Sequence, residues 1–146
     1  MSYLLFYRQT HRLTLFSDKG QHLGTWEAYN NVTNSSNGIW PNGEYTYSHY
    51  NSHAGLGIDS SYGTKGIFVF NVAGRTGMGV HAGRKNSTDG KGRSGPAYNT
   101  LGCIRTTEAA MSTIKSTHAS DPLTDITVSE GLIGDFPTPS SEYAYA

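Results

Sequence analysis

Two side chains able to do chemistry together flank a single loop. Cys103, the only cysteine in the 146-residue chain, lies between Gly102 and Ile104, and His81 opens the stretch rich in Gly, Ser and Asn that leads to it. A thiol attacks a carbonyl carbon only as thiolate, so a nucleophilic cysteine needs a base or cation nearby and a small neighbour that admits the substrate. His81 can be that base and Gly102 that neighbour. Arg105, two residues on, falls on the same face as Cys103 if the segment is extended, where it can hold an anion near the sulfur. A plainer reading stands beside this one. A lone cysteine is often an inert core residue, and a histidine following Met78-Gly79-Val80 can be a satisfied interior group.

The elements that must position these groups read mostly as strands. Tyr3 to Tyr7 and Arg12 to Phe16 are short aromatic and β-branched runs, the second with Leu13 and Leu15 alternating against Arg12 and Thr14, and read as a hairpin closed on the far side by the turn Ser17-Asp18-Lys19-Gly20. His22 to Tyr29 is a third strand, followed by a polar loop from Asn30 to Gly38 whose side chains bond locally. Pro41-Asn42-Gly43 is a tight turn into the strand Glu44 to Tyr50. Ile67 to Val72 is the most strongly β-forming run, and Gly74-Arg75-Thr76-Gly77 turns it into Met78 to His81, placing the histidine at a strand end. Beyond the cysteine, Thr106 to Lys115 is the one good helix. Thr106 or Thr107 caps it, Glu108 sits in its first turn, and Ala110, Met111 and Ile114 make its apolar stripe. A cysteine just before that N-terminus would have its thiolate favoured by the helix dipole. A last short strand spans Asp125 to Val128, and residues 136–146 read as a flexible tail on a single domain of residues 1–135.

Composition narrows the class. With 18 glycines, 10 tyrosines and few charged residues, the chain favours a β-rich domain with many turns. Its formal charge is zero, so no global field points to nucleic acid. Positive charge is nevertheless concentrated: Arg75, Arg84, Lys85, Lys91, Arg93 and Arg105 surround the proposed thiol against the single acid Asp89, which suits a carboxylate-bearing substrate. Of the aromatics that single-stranded nucleic acid would need, this stretch offers only Tyr98. His49 and His53 have the spacing of two helical metal ligands, but Tyr45-Thr46-Tyr47 before them reads as strand and no third ligand completes the set. No run approaches membrane-spanning length, and Met1 to Arg8 lacks a basic leader and cleavage site. Synthesis in the cytoplasm without a signal peptide is therefore expected.

The box Thr100-Leu101-Gly102-Cys103-Ile104-Arg105, preceded across a loop by Gly79-Val80-His81-Ala82-Gly83, resembles the signature of YkuD-type L,D-transpeptidases. Trp40-Pro41-Asn42-Gly43-Glu44-Tyr45 resembles an upstream element of the same family, with Trp in place of its Thr. Leu101 stands where the family often has histidine. The resemblance implies a mainly β fold, a sandwich of mixed sheets with one short helix after the cysteine. It implies acyl transfer on peptidoglycan stem peptides with Cys103 as nucleophile and His81 as base. A backbone carbonyl at Ala82 or Gly83 would orient the imidazole, and N–H groups near Gly102 and Cys103 would meet the oxyanion. Arg105, Thr100 and Tyr98 would line the substrate, with the 82–100 loop over the approach, and no metal or cofactor is implied.

The missing leader adds an expectation of its own. A leaderless enzyme of this kind looks similar to antibacterial toxins of type VI secretion, which act in a rival's periplasm and bring an immunity protein and a secretion adaptor as partners. A catalytically silent peptidoglycan-binding module of the same fold is the alternative.

Overall fold

The computed structural model describes residues 1–31, 38–52, 62–83, 100 and 102–130. Its first hairpin pairs β1 (Ser2–Tyr7) with β2 (Arg12–Phe16) in the register Tyr3↔Phe16 to Tyr7↔Arg12. Alternation decides which face is covered: Leu4, Phe6, Leu13 and Leu15 are wholly buried, while Tyr3, Leu5 and Tyr7 on the opposite face are half-buried. The strand β3 (His22–Tyr29) extends the meander beside β2. In the turn before it, the Ser17 hydroxyl accepts the N–H groups of Lys19 and Gln21.

The remaining strands are β4 (Gly43–Asn51), β5 (Ile67–Phe70), β6 (Gly79–His81), β7 (Ile104–Thr106) and β8 (Leu123–Ser129). Two strands, β3 and β4, carry the architecture beyond a simple stack. The first half of β4 pairs with β8 and its second half with β5, while β3 leaves β2 to pair with β7 through Ala28↔Thr106 and Tyr29↔Arg105. Both edges of the two sheets are thus shared, and the strands close into a ring in the order β1-β2-β3-β7-β6-β5-β4-β8. The ring is mixed, since β1 with β8 and β6 with β7 run parallel. The fold is therefore mainly β with one short helix, as expected, and its two sheets are joined at both edges.

The helix α1 (Glu108–Ser120) starts at Thr107, whose side chain accepts the Ala110 N–H. Met111 and Ile114 are fully buried, each contributing about 1.5–3 kcal/mol by leaving water, so packing rather than propensity holds it. It runs five residues past the expected Lys115. The His118 ring stands 5.5 Å from Phe68 and 5.1 Å from Tyr47, and its Nδ1 accepts the Leu123 N–H at 3.0 Å. Tertiary contact thus extends a last turn that Ser116, Thr117 and Ser120 would not sustain alone.

Candidate active site

The site forms where β6 and β7 run side by side. Their parallel register pairs Val80 with Ile104 and His81 with Arg105. Val80 and Ile104 point into the core with no exposure, so His81 and Arg105 share the other face. Cys103, two residues before Arg105, belongs to that face as well. Its sulfur donates to the Gly77 carbonyl at 3.6 Å and accepts the Gly79 N–H. Gly79 lies two residues before His81 on one strand, so thiol and imidazole project from diagonal positions. A strand spacing of ~4.8 Å and a two-residue rise of ~6.6 Å put diagonal α-carbons roughly 8 Å apart, a gap that a histidine and a cysteine side chain can span.

His81 is buried, and its Nδ1 lies 2.6 Å from the Ala82 carbonyl oxygen. A carbonyl has no proton to give, so Nδ1 carries the hydrogen and Nε2 keeps its lone pair. That is the tautomer of a base whose other nitrogen faces away from its own backbone. The Tyr62 ring packs on the imidazole with centroids 4.8 Å apart.

The peptide before the thiol is held with unusual completeness. The Gly102 carbonyl accepts the Asn30 amide at 3.0 Å and the Trp40 indole N–H at 2.7 Å. The Cys103 carbonyl accepts Thr100 Oγ1 at 2.7 Å and the same Asn30 amide at 3.2 Å, while Thr100 Oγ1 accepts the Gly102 N–H at 3.1 Å. Only glycine suits position 102: its φ is +145°, and a β-carbon there would stand 2.8 Å from Met78 Sδ. In a trans peptide C=O and N–H point opposite ways. With the Gly102 oxygen turned inward to Asn30 and Trp40, the Cys103 N–H is turned outward, and among the described residues no backbone carbonyl takes it.

Several expectations change here. The Gly102 N–H, expected near the oxyanion, donates to Thr100 Oγ1, and the Cys103 N–H lies beside the sulfur. Thr100, expected to line the substrate, is buried and uses its hydroxyl on the Gly102–Cys103 turn. Arg105 is only 2% exposed and acts on the thiol through its charge. The helix dipole is not what tunes Cys103, since the strand Ile104–Thr106 separates it from the cap at Thr107. Ala82 serves through its carbonyl. Tyr98, His53, Arg84, Lys85, Lys91, Arg93, nearly all of the 82–100 loop and the 136–146 tail lie outside the described residues. His49 is exposed on β4, and no group of three metal-binding side chains occurs among the described residues.

Asn30, Tyr62 and Glu108 carry parts of the site that the sequence did not announce. Asn30 opened a polar run that reads as turn chemistry, and nothing local shows that its amide turns inward to residues 72 and 73 positions away. For Trp40 there was a signal, the element in which it replaces the family's Thr.

Burial pushes the Cys103 thiol up, opposed in part by the Gly79 N–H and the Arg105 charge. The resting sulfur therefore keeps its proton at neutral pH and needs a base at the moment of attack. Alkylation of Cys103 by iodoacetamide should be slow at pH 7 and rise with pH, its midpoint above the ordinary thiol value of about 8.5. A midpoint below that value would contradict it. Linkage runs the same way. Above about pH 8.5 the unfolded chain releases a proton that the folded chain still holds, so this group's contribution to stability falls as pH rises.

No family model and no curated protein matches the chain. Solved structures do. An L,D-transpeptidase from Xylanimonas cellulosilytica shares 19% identity at a TM-score of 0.54, covering 87% of this chain and 59% of the other. The Bd1075 protein of Bdellovibrio bacteriovorus shares 17% at a TM-score of 0.63, with coverage of 88% and 48%. L,D-transpeptidase 1 of Mycobacterium tuberculosis shares 16% at a TM-score of 0.55, with coverage of 88% and 61%. The chain thus spans about half to three-fifths of the length of these proteins. At such identities the likeness is one of backbone: the chain has the sheet-rich fold of L,D-transpeptidase catalytic domains, with His81 ending β6 and Cys103 just before β7.

Proposed function

We propose that the chain catalyses cysteine-dependent acyl transfer on peptidoglycan stem peptides, cleaving the bond between an L-centre and D-Ala in a tetrapeptide. The observation that carries this reading is a histidine whose Nδ1 is tied to the Ala82 carbonyl and which shares a strand face with the thiol. The fold held in common with L,D-transpeptidases supports the choice of substrate.

In the first step the sulfur bonds to the carbonyl carbon as its proton passes to His81 Nε2, and the oxyanion accepts the Cys103 N–H. Collapse breaks the C–N bond, and the imidazolium returns the proton to the departing D-Ala amine. The acyl group is left as a thioester on Cys103. An amine acceptor then gives a 3→3 crosslink or exchange of the terminal D-amino acid, and water gives L,D-carboxypeptidation. The two outcomes use the same protein groups. Arg105 steadies the thiolate by charge.

A second reading has its own support. The raised thiol and its donated bond to Gly77 suit a silent peptidoglycan-binding module of this fold. Mass spectrometry of tetrapeptide fragments incubated with the protein separates the two. Loss of D-Ala, exchange or dimer formation, with an acyl mass on Cys103, is expected, and fragments left unchanged would favour the binder. The antibacterial role, with its immunity protein, secretion adaptor and periplasmic site, draws no support from the fold. Its test is periplasmic expression of wild type against Cys103→Ala, with lysis by the former alone as the expected result.

A further inference from the structure

We propose that Tyr62 is a positioning residue for His81, clasped in place by Glu108. This rests on the reading of His81 as the base. The Tyr62 ring packs against the imidazole at 4.8 Å between centroids, tilted 55° to it. The next residue, Gly63, touches the backbone that holds Nδ1: a β-carbon there would stand 3.0 Å from Gly83 N and 3.1 Å from Ala82 Cβ, and its φ of +70° already requires glycine. One turn thus lies against both the imidazole and the peptide whose carbonyl selects its tautomer.

That turn is tied down from one place. The Glu108 carboxylate accepts the Thr64 N–H through both oxygens at 3.2 Å and also accepts the Thr64 hydroxyl. Glu108 is the first residue of α1, five positions past Cys103, with β7 and the Thr107 cap between them. The stretch from Cys103 to Glu108 therefore holds the nucleophile at one end and, through Thr64 and Tyr62, the base at the other. A first-turn acid that only served the helix dipole would have no need to reach Thr64.

An imidazole that loses its contact with Tyr62 loses the alignment of Nδ1 with the Ala82 carbonyl, and with it the preference for hydrogen on Nδ1. Long-range proton–nitrogen NMR on histidine-labelled protein reads that preference without any substrate. Wild type and Tyr62→Phe should show His81 with hydrogen on Nδ1, and Tyr62→Leu a mixture of the two tautomers. With substrate, Tyr62→Leu should lose about tenfold or more in kcat with KM within about twofold, and Tyr62→Phe should restore it. If Tyr62→Leu does not fold, Glu108→Gln takes its place. That variant removes no core side chain, weakens the hold on Thr64, and should shift the tautomer in the same direction. An unchanged tautomer in a folded Tyr62→Leu or Glu108→Gln protein overturns the clasp while leaving His81 as base intact. Hydrogen on Nε2 in the wild type overturns the base assignment itself, and the clasp with it.

Discussion

Cys103→Ser should fold like the parent and lose acyl transfer by on the order of 10⁴-fold or more. The two halves of that expectation have separate grounds. The sulfur is half-buried and donates one long hydrogen bond, to Gly77, so its replacement by a hydroxyl should change stability by less than about 1 kcal/mol. Catalysis is another matter. A neutral imidazole can draw a proton even from a thiol that burial pushes up, but a serine hydroxyl holds its proton far more tightly. Neither the Gly79 N–H nor the Arg105 charge is placed to make up so large a difference. Thermal melting and the mass change of a tetrapeptide substrate check both halves at once. A Cys103→Ser protein that still releases D-Ala would remove the thiol from the mechanism, and one that fails to fold would show the sulfur to be structural.

How far residues alone point to such a site depends on whether its parts are local. β1, β2 and β3 were readable because each is a strand-forming run joined to the next by a short turn. The position of His81 at a strand end followed from the turn at Gly74 to Gly77. The ring closure was not readable, since it depends on parallel pairings of β1 with β8 and β6 with β7, between segments far apart in the chain. The same limit applies inside the site. Thr100 and Gly102 were noticed as letters of a box, but the box does not say that the hydroxyl of one accepts the N–H of the other and so withdraws it from an oxyanion. A helix after the cysteine was read correctly, yet the three residues of β7 between them cancel the dipole argument built on it. Asn30 is the extreme case. Its amide bridges the carbonyls of Gly102 and Cys103, and only the folded register of β3 against β7 brings it there.

Trp40 shows how such distant support should register in experiment. The indole is fully buried, packs edge-on against Tyr45 and Phe70, and donates to the Gly102 carbonyl, while its backbone N–H donates to Asn30 Oδ1. Trp40→Ala removes the whole ring and should cost about 3–5 kcal/mol. For a domain of this size that lowers the melting temperature by roughly 10–15 °C. Trp40→Phe keeps most of the packing and deletes the indole donor, so its stability cost should be only about 1–3 kcal/mol. The Gly102 carbonyl would then hang from the Asn30 amide alone, and the peptide that aims the Cys103 N–H would be free to rotate. Turnover should therefore fall by about tenfold or more in Trp40→Phe, measured well below its melting temperature. A variant that melts lower yet turns over at the parental rate would show that Trp40 fills the core without setting the geometry of the thiol. A loss of turnover beyond what the small stability change explains would place the indole bond in the support of the catalytic peptide.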